Sequence, residues 1–274
     1  MAPLSVFDAI DEAFARCGTR EGALALAAIL TTQVLLLVGI QSQLSTQREQ
    51  FGDDELPLID PSLWPETFPL ALEVPLWLST LLWLSMLVGF VAATVGAFRM
   101  LVDTVPEATA SAASGTATAP RPSWTHRLGR TTLLAVVASV VGLVMVGVGL
   151  VLFVIPGLVV ATAFAFTHPY LVTTEAGVRE SMQRSVALVR GAWLRVFALL
   201  VVIVLSFVTI SSIGTFVYAG LESMPALAEL LNLVFGALAW LYALALLASG
   251  FDQLEAQRVA ESAKWADIDD ELLP

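Results

Sequence analysis

The chain is short of charge, lysine, histidine and cysteine, and each shortage removes a class of protein. Only 14% of its 274 residues are Asp, Glu, Lys or Arg, against about 25% in ordinary soluble domains, so no large water-soluble domain is hidden here. One cysteine, Cys17, excludes an intramolecular disulfide and a thiolate cage, and two histidines leave little material for a zinc site. Lys264 is the only lysine, and 13 cations face 24 acids for a net charge of −11. This balance offers no basic footprint for nucleic acid and fits a salt-adapted organism, whose surface carboxylates keep proteins soluble. Gly147 and Gly149 sit inside an apolar run with no strand or phosphate-facing helix start, so they are not a dinucleotide fingerprint. No nucleophile, base and orienting group occur together. Neither an enzyme nor a bound cofactor nor a metal centre is expected.

What is present is apolar length. Hydrophobic residues make up 57% of the chain and the mean hydropathy is +0.83. Residues 131–173 contain no Asp, Glu, Lys or Arg, and only Ile155-Pro156-Gly157 interrupts them. A bilayer core of about 30 Å needs roughly 20 apolar residues at 1.5 Å rise. This segment therefore predicts two membrane helices and a tight turn. Pro156 removes a backbone donor and Gly157 tolerates positive φ, so the hairpin break is placed there. Further runs at about 22–40, 75–98, 194–218 and 226–250 bring the total to six spans. The predicted fold is all-α, a polytopic transmembrane helical bundle with interfacial amphipathic helices. No basic segment and cleavage site mark the N-terminus, so the first span reads as an anchor.

Cationic loops stay cytoplasmic, and twelve of the thirteen cations fall on one side. They are Arg16, Arg20, Arg99, Arg121, Arg127, Arg130, Arg179, Arg184, Arg190, Arg195, Arg258 and Lys264, with Arg48 alone opposite. Both termini are expected in the cytoplasm of a multi-pass cell-membrane protein. The organisation is a cytoplasmic interfacial helix over 1–21, a six-span domain over 22–250 and an acidic tail over 251–274. Residues 104–124, dominated by Thr, Ala, Ser and Pro, read as a flexible linker.

Phe7, Ile10, Phe14 and Cys17 recur at helical spacing, which suits either a helix in the membrane interface or a packed cap helix. The outer loop 41–74 carries Asp53, Asp54, Glu55, Asp60, Glu66 and Glu73 without the regular ligand spacing of a calcium loop. Salt adaptation accounts for that acid. Ala135, Ala138, Gly142 and Gly149 form a stripe of small residues that lets helices approach closely, within the chain or between copies. The oligomeric state is left open.

Four residues are candidates for contact with a lipid headgroup. His168 is the one ionisable group of the spans far from the charged loops, although it lies near an interface, where a polar aromatic is ordinary. Arg179, Arg184 and Arg190 belong to a basic amphipathic segment whose Val178, Met182, Val186, Val189 and Trp193 share a helical face. Such a helix can rest on anionic headgroups or simply obey the positive-inside rule.

Residues 150–200 also carry a resemblance. Ile155-Pro156-Gly157, Phe166, Pro169, Glu175, Gly177, Glu180-Ser181, Arg184-Ser185, Leu188-Val189-Arg190-Gly191 and Arg195-Val196-Phe197 are similar to the core signature of a multi-pass family. That family includes the membrane domain preceding the catalytic domain of some glycerophosphodiester phosphodiesterases and the stand-alone YciC-like proteins. The resemblance implies a membrane domain with an amphipathic segment after the hairpin. It implies no phosphodiesterase activity, because no hydrolase domain follows the last span. Two functions remain: a non-enzymatic scaffold assisting a membrane protein partner, which predicts a dry bundle, and a carrier of a lipid or amphiphile, which predicts broken helices around a cavity. Membrane lipids are the expected partners in either case.

Overall fold

The computed structural model describes residues 4–51, 68–102, 127–152, 154–221 and 223–272. Among the described residues the chain is helical throughout, with no strand. The elements are α1 (Val6–Cys17), α2 (Arg20–Phe51), α3 (Leu76–Leu101), α4 (Leu128–Leu152), α5 (Val154–Ala163), α6 (Thr167–Thr173), α7 (Val178–Val189), α8 (Trp193–Ala219) and α9 (Pro225–Leu272). Six stretches are long and apolar enough to cross a bilayer: Arg20–Gln50, Leu76–Leu101, Leu128–Gly149, Val154–Thr173, Trp193–Ala219 and Pro225–Lys264. The chain is a multi-pass membrane protein. The 104–124 linker and the acids Asp53, Asp54, Glu55, Asp60 and Glu66 lie outside the described residues, and Glu73 is exposed.

Antiparallel neighbours pack where side chains vanish. At the α8–α9 crossing, a Cβ added to Gly214 would stand 2.7 Å from Asn232 Oδ1 and 2.8 Å from Phe235 Cβ. At the α4–α5 crossing, a Cβ on Gly149 would stand 2.8 Å from the Cα of Gly157. Without a hydrophobic drive between helices in lipid, this backbone proximity is what supplies dispersion contact. Of the small-residue stripe, Ala135, Ala138 and Gly149 are thereby used inside the chain, whereas Gly142 faces open space.

The hairpin break differs from expectation. α4 ends at Leu152 and α5 begins at Val154, so Pro156 and Gly157 lie within the first turn of α5 and not in the turn. The first-turn N–H groups of a helix have no intrahelical partner, so a proline there sacrifices nothing. Gly157 has no positive φ; its use is the close approach to Gly149.

A second break was not foreseen. The fourth span stops at Ala163 and restarts at Thr167. Pro169, the third residue of α6, lacks the N–H that would reach back to residue 165, and its ring would meet that carbonyl. Pro156 occupies the same third position in α5, so both breaks fall just upstream of a proline.

On the arginine-rich side, α1 is held against the bundle. Ala9, Ala13 and Arg16 are buried, and α1 runs along α9. The Arg16 guanidinium donates to the Leu101 carbonyl at the end of α3, and pairs with Glu12 at 2.6 Å and Asp252 of α9 at 2.7 Å. Burial works against this charge, but Asp252 and Glu12 outweigh it and hold Arg16 more firmly protonated than an ordinary arginine. Gln253 Oε1 accepts from the Ser5 N–H. Arg99 clamps α3 to its neighbours, donating to Val172 O at 2.9 Å and Thr131 Oγ1 at 3.0 Å. The helix of the sixth span does not stop near 250 but continues to Leu272, with Phe251, Asp252, Leu254 and Glu255 buried. On the opposite side, Gln41 and Ser42 of α2 accept from the N–H groups of Leu70 and Leu72, each at 2.8 Å.

Removing one member of a buried ion pair strands the other, typically at about 3–5 kcal/mol. Arg16→Met should therefore destabilise the protein by that order, and Arg16→Met/Asp252→Leu should recover part of it. Reversible denaturant unfolding in mild detergent measures both.

Candidate functional site: an apolar cavity beside a broken span

Breaking a helix inside a membrane frees carbonyl and N–H groups that lipid cannot satisfy. Here Ser185 of α7 does so: its hydroxyl donates to Ala163 O at 2.8 Å and accepts from Phe166 N–H at 3.1 Å. This explains why the buried face of α7 is Ser181, Ser185, Leu188 and Val189, while Val178, Met182 and Val186 are only half-buried. The amphipathic helix is present, turned by about one residue from the face its apolar spacing predicts.

Next to the break lies a cavity of about 610 Å³, bounded by α3, α4, the break with α6, α8 and α9. Its wall is almost entirely apolar. Trp240 forms one side, with its ring 5.6 Å from Phe90 and 5.9 Å from Phe207, and with Nε1 donating to Thr94 Oγ1 at 3.2 Å. On the other side Ser139 of α4 and His168 of α6 meet, Oγ to Nε2 at 2.9 Å.

A serine and a histidine at this distance invite comparison with a nucleophile and its base. Ser139 has one hydroxyl proton and two acceptors within reach, Ala135 O at 2.8 Å and His168 Nε2 at 2.9 Å, so the direction of the pair follows the imidazole tautomer. A general base also needs a third group to orient it. No carboxylate among the described residues bonds to the imidazole. The pair orients two polar groups at the cavity wall and can receive a hydroxyl, carbonyl or ester oxygen there. Cys17, in contact with the core and outside the spans, has its thiol pushed up by burial, which keeps it a poor nucleophile.

The four headgroup candidates separate. His168 lines the cavity. Arg184 pairs with Glu180 at 2.7 Å on the exposed side of α7. Arg179 and Arg190 rim a different groove of about 730 Å³, whose apolar wall includes Val141 of α4, Phe164 of the break and Met182 of α7. Arg190 also lines a third space of about 460 Å³ between the α7–α8 turn and α9, together with Arg195 and Arg258. The turn is made by Gly191 at φ +92°, a conformation glycine adopts freely.

Sequence reasoning passed over Ser139, Asp252 and Glu255, and met Ser185 only as part of a signature, without its role. Glu255 accepts a hydrogen bond from the Tyr170 hydroxyl and lies 3.6 Å from Arg258, tying α6 to α9. The available signals were a serine in the interior of an apolar span, and acids one helical turn apart directly after one.

The family model described as Domain of unknown function (DUF7847) matches residues 4–254. The chain belongs to that family. No curated protein and no solved structure matches it.

Ser185→Ala leaves a buried carbonyl and a buried N–H without their partner, a loss of about 1–3 kcal/mol. The thermal midpoint in detergent should fall, and amide exchange at 164–168 should accelerate more than elsewhere in the protein.

Proposed function

We propose that this member of the DUF7847 family is a non-enzymatic lipid-binding protein of the cell membrane, with its arginine-rich side and both termini in the cytoplasm. The cavity beside the broken span holds the apolar part of a lipid or amphiphile. The observation that carries this reading is the composition of the cavity: about 610 Å³ with an apolar wall and two polar pairs, Ser139–His168 and Trp240–Thr94. Ligand sites for apolar molecules have this character, a large hydrophobic lining and a few polar groups that fix orientation. The discontinuous fourth span supports the same reading, because broken helices in membrane proteins are tolerated where they line a cavity or are buried in protein. The arginine distribution supports the orientation.

A scaffold for a protein partner is the second reading, and one feature favours it. Phe7 and Phe14 are 81% and 76% exposed on α1, outside the six spans and away from the face that packs on α9. Two exposed rings on one short helix suit a partner surface or the headgroup layer.

Gentle-detergent purification from the native membrane, followed by mass spectrometry of lipids and proteins, separates the two. The carrier reading expects a lipid retained at near-unit stoichiometry, and its loss in Ala243→Phe, which puts a ring into the cavity without touching the arginine side. A stoichiometric protein partner, with lipid content unchanged by Ala243→Phe, sinks the carrier reading in favour of the scaffold.

A further inference from the structure

The groove rimmed by Arg179 and Arg190 and the pocket formed by Arg190, Arg195 and Arg258 share two lining residues, Ala187 and Arg190. They are one continuous surface with two characters. The groove end is apolar, built from Val141, Phe164 and Met182. The pocket end is polar and cationic, with three arginines, Gln257 and one acid, Glu261.

Several arginines of the bundle are taken up by protein partners. Arg16 and Arg99 are spent on helix-end carbonyls and acids, and Arg184 on Glu180. The guanidinium groups of Arg190 and Arg195 have no hydrogen bond or ion pair among the described residues, and Arg258 reaches Glu255 only at 3.6 Å and the Tyr170 hydroxyl at 3.4 Å. Glu261, and Glu255 at 3.6 Å from Arg258, set two negative charges against three positive ones, which leaves the pocket cationic. A phosphate supplies both charge and the paired oxygens that a guanidinium fork matches.

We infer that this continuous surface is a binding site for one anionic phospholipid, distinct from the cavity at His168. The phosphate sits on Arg190 and Arg195 with Arg258 opposite, and an acyl chain lies along Val141, Phe164 and Met182. Arg190, at the junction, marks where head passes into tail. Arg179, on the groove rim, contributes to the field around the chain entrance. The site needs no occupant in the Ser139–His168 cavity, so it stands or falls apart from the carrier reading.

The test uses the full chain in detergent, with native mass spectrometry and competition. The protein is offered phosphatidylglycerol and phosphatidylcholine in equal amounts, then inorganic phosphate and glycerol phosphate as soluble competitors. One phosphatidylglycerol should bind preferentially, with at least tenfold weaker binding in Arg190→Gln/Arg195→Gln and no change in Arg184→Gln, whose charge lies outside both spaces. Met182→Trp, which fills the groove and keeps every arginine, should also lose the lipid. This second variant decides the matter if the arginine variant does not fold. No preference over phosphatidylcholine, or equal loss in Arg184→Gln, reduces the effect to surface charge and overturns the site. Full displacement by inorganic phosphate at equimolar amounts, or unimpaired binding in Met182→Trp, overturns the lipid as occupant and leaves a phosphate pocket only.

Discussion

The hydrogen bond from Ser185 to the two ends of the broken fourth span is the contact on which the rest of this architecture rests. Pro169 lacks the N–H that would close the turn on residue 165 and crowds that carbonyl, and a bilayer offers no water to the groups that are released. One side-chain hydroxyl, acting as donor to Ala163 O and acceptor from Phe166 N–H, closes the account. Because that hydroxyl belongs to α7, the amphipathic helix cannot lie on the membrane independently. It is fixed against the break, and the direction of its arginines follows. The cavity on one side of the break and the arginine-lined surface on the other are both consequences of where α7 is held.

The arginine-rich side follows a related logic. Helix ends leave carbonyls unsatisfied, and Arg16 and Arg99 serve such groups at Leu101 and Val172. Positive charge on this side therefore has two uses. Some arginines close the fold by satisfying carbonyls and acids; others, at Arg179, Arg190 and Arg195, line surfaces without being consumed there. A count of cations per loop does not distinguish the two groups. Their partners do.

The six spans were legible because each is a long run of apolar residues, and Pro156-Gly157 was legible as a breakpoint in the broad sense, whereas the break before Pro169 was not. What could not be read was where the helix yields. A proline disturbs the turn before it: α5 begins at Val154, two residues before Pro156, and the fourth span is interrupted at 164–166, upstream of Pro169. The orientation of α7 was misjudged by about one residue, because apolar spacing weighs Val178, Met182 and Val186 above Ser181 and Ser185. A serine looks like a solvated residue until the unpaired backbone it serves is visible. His168 stood out as an isolated ionisable group, but its partner Ser139, twenty-nine residues away in sequence, is brought to it only by the antiparallel register of α4 and α6. Asp252 and Glu255 read as the start of an acidic tail. Their burial depends on Arg16 and Tyr170, which no local pattern connects to them.

The last helix has a mechanical meaning. α9 is one unbroken element from Pro225 to Leu272, about 70 Å at 1.5 Å per residue, more than twice the hydrocarbon thickness it crosses. Near one end Glu229 meets Gln41 at 3.4 Å; in the middle Trp240 walls the cavity; beyond it Asp252, Glu255 and Arg258 engage α1, α6 and the arginine pocket. With no joint along its length, this single rod fixes the spacing between the Gln41 contact, the wall at Trp240 and the arginines around Arg258, so a displacement at any one of them cannot be absorbed by a bend in between.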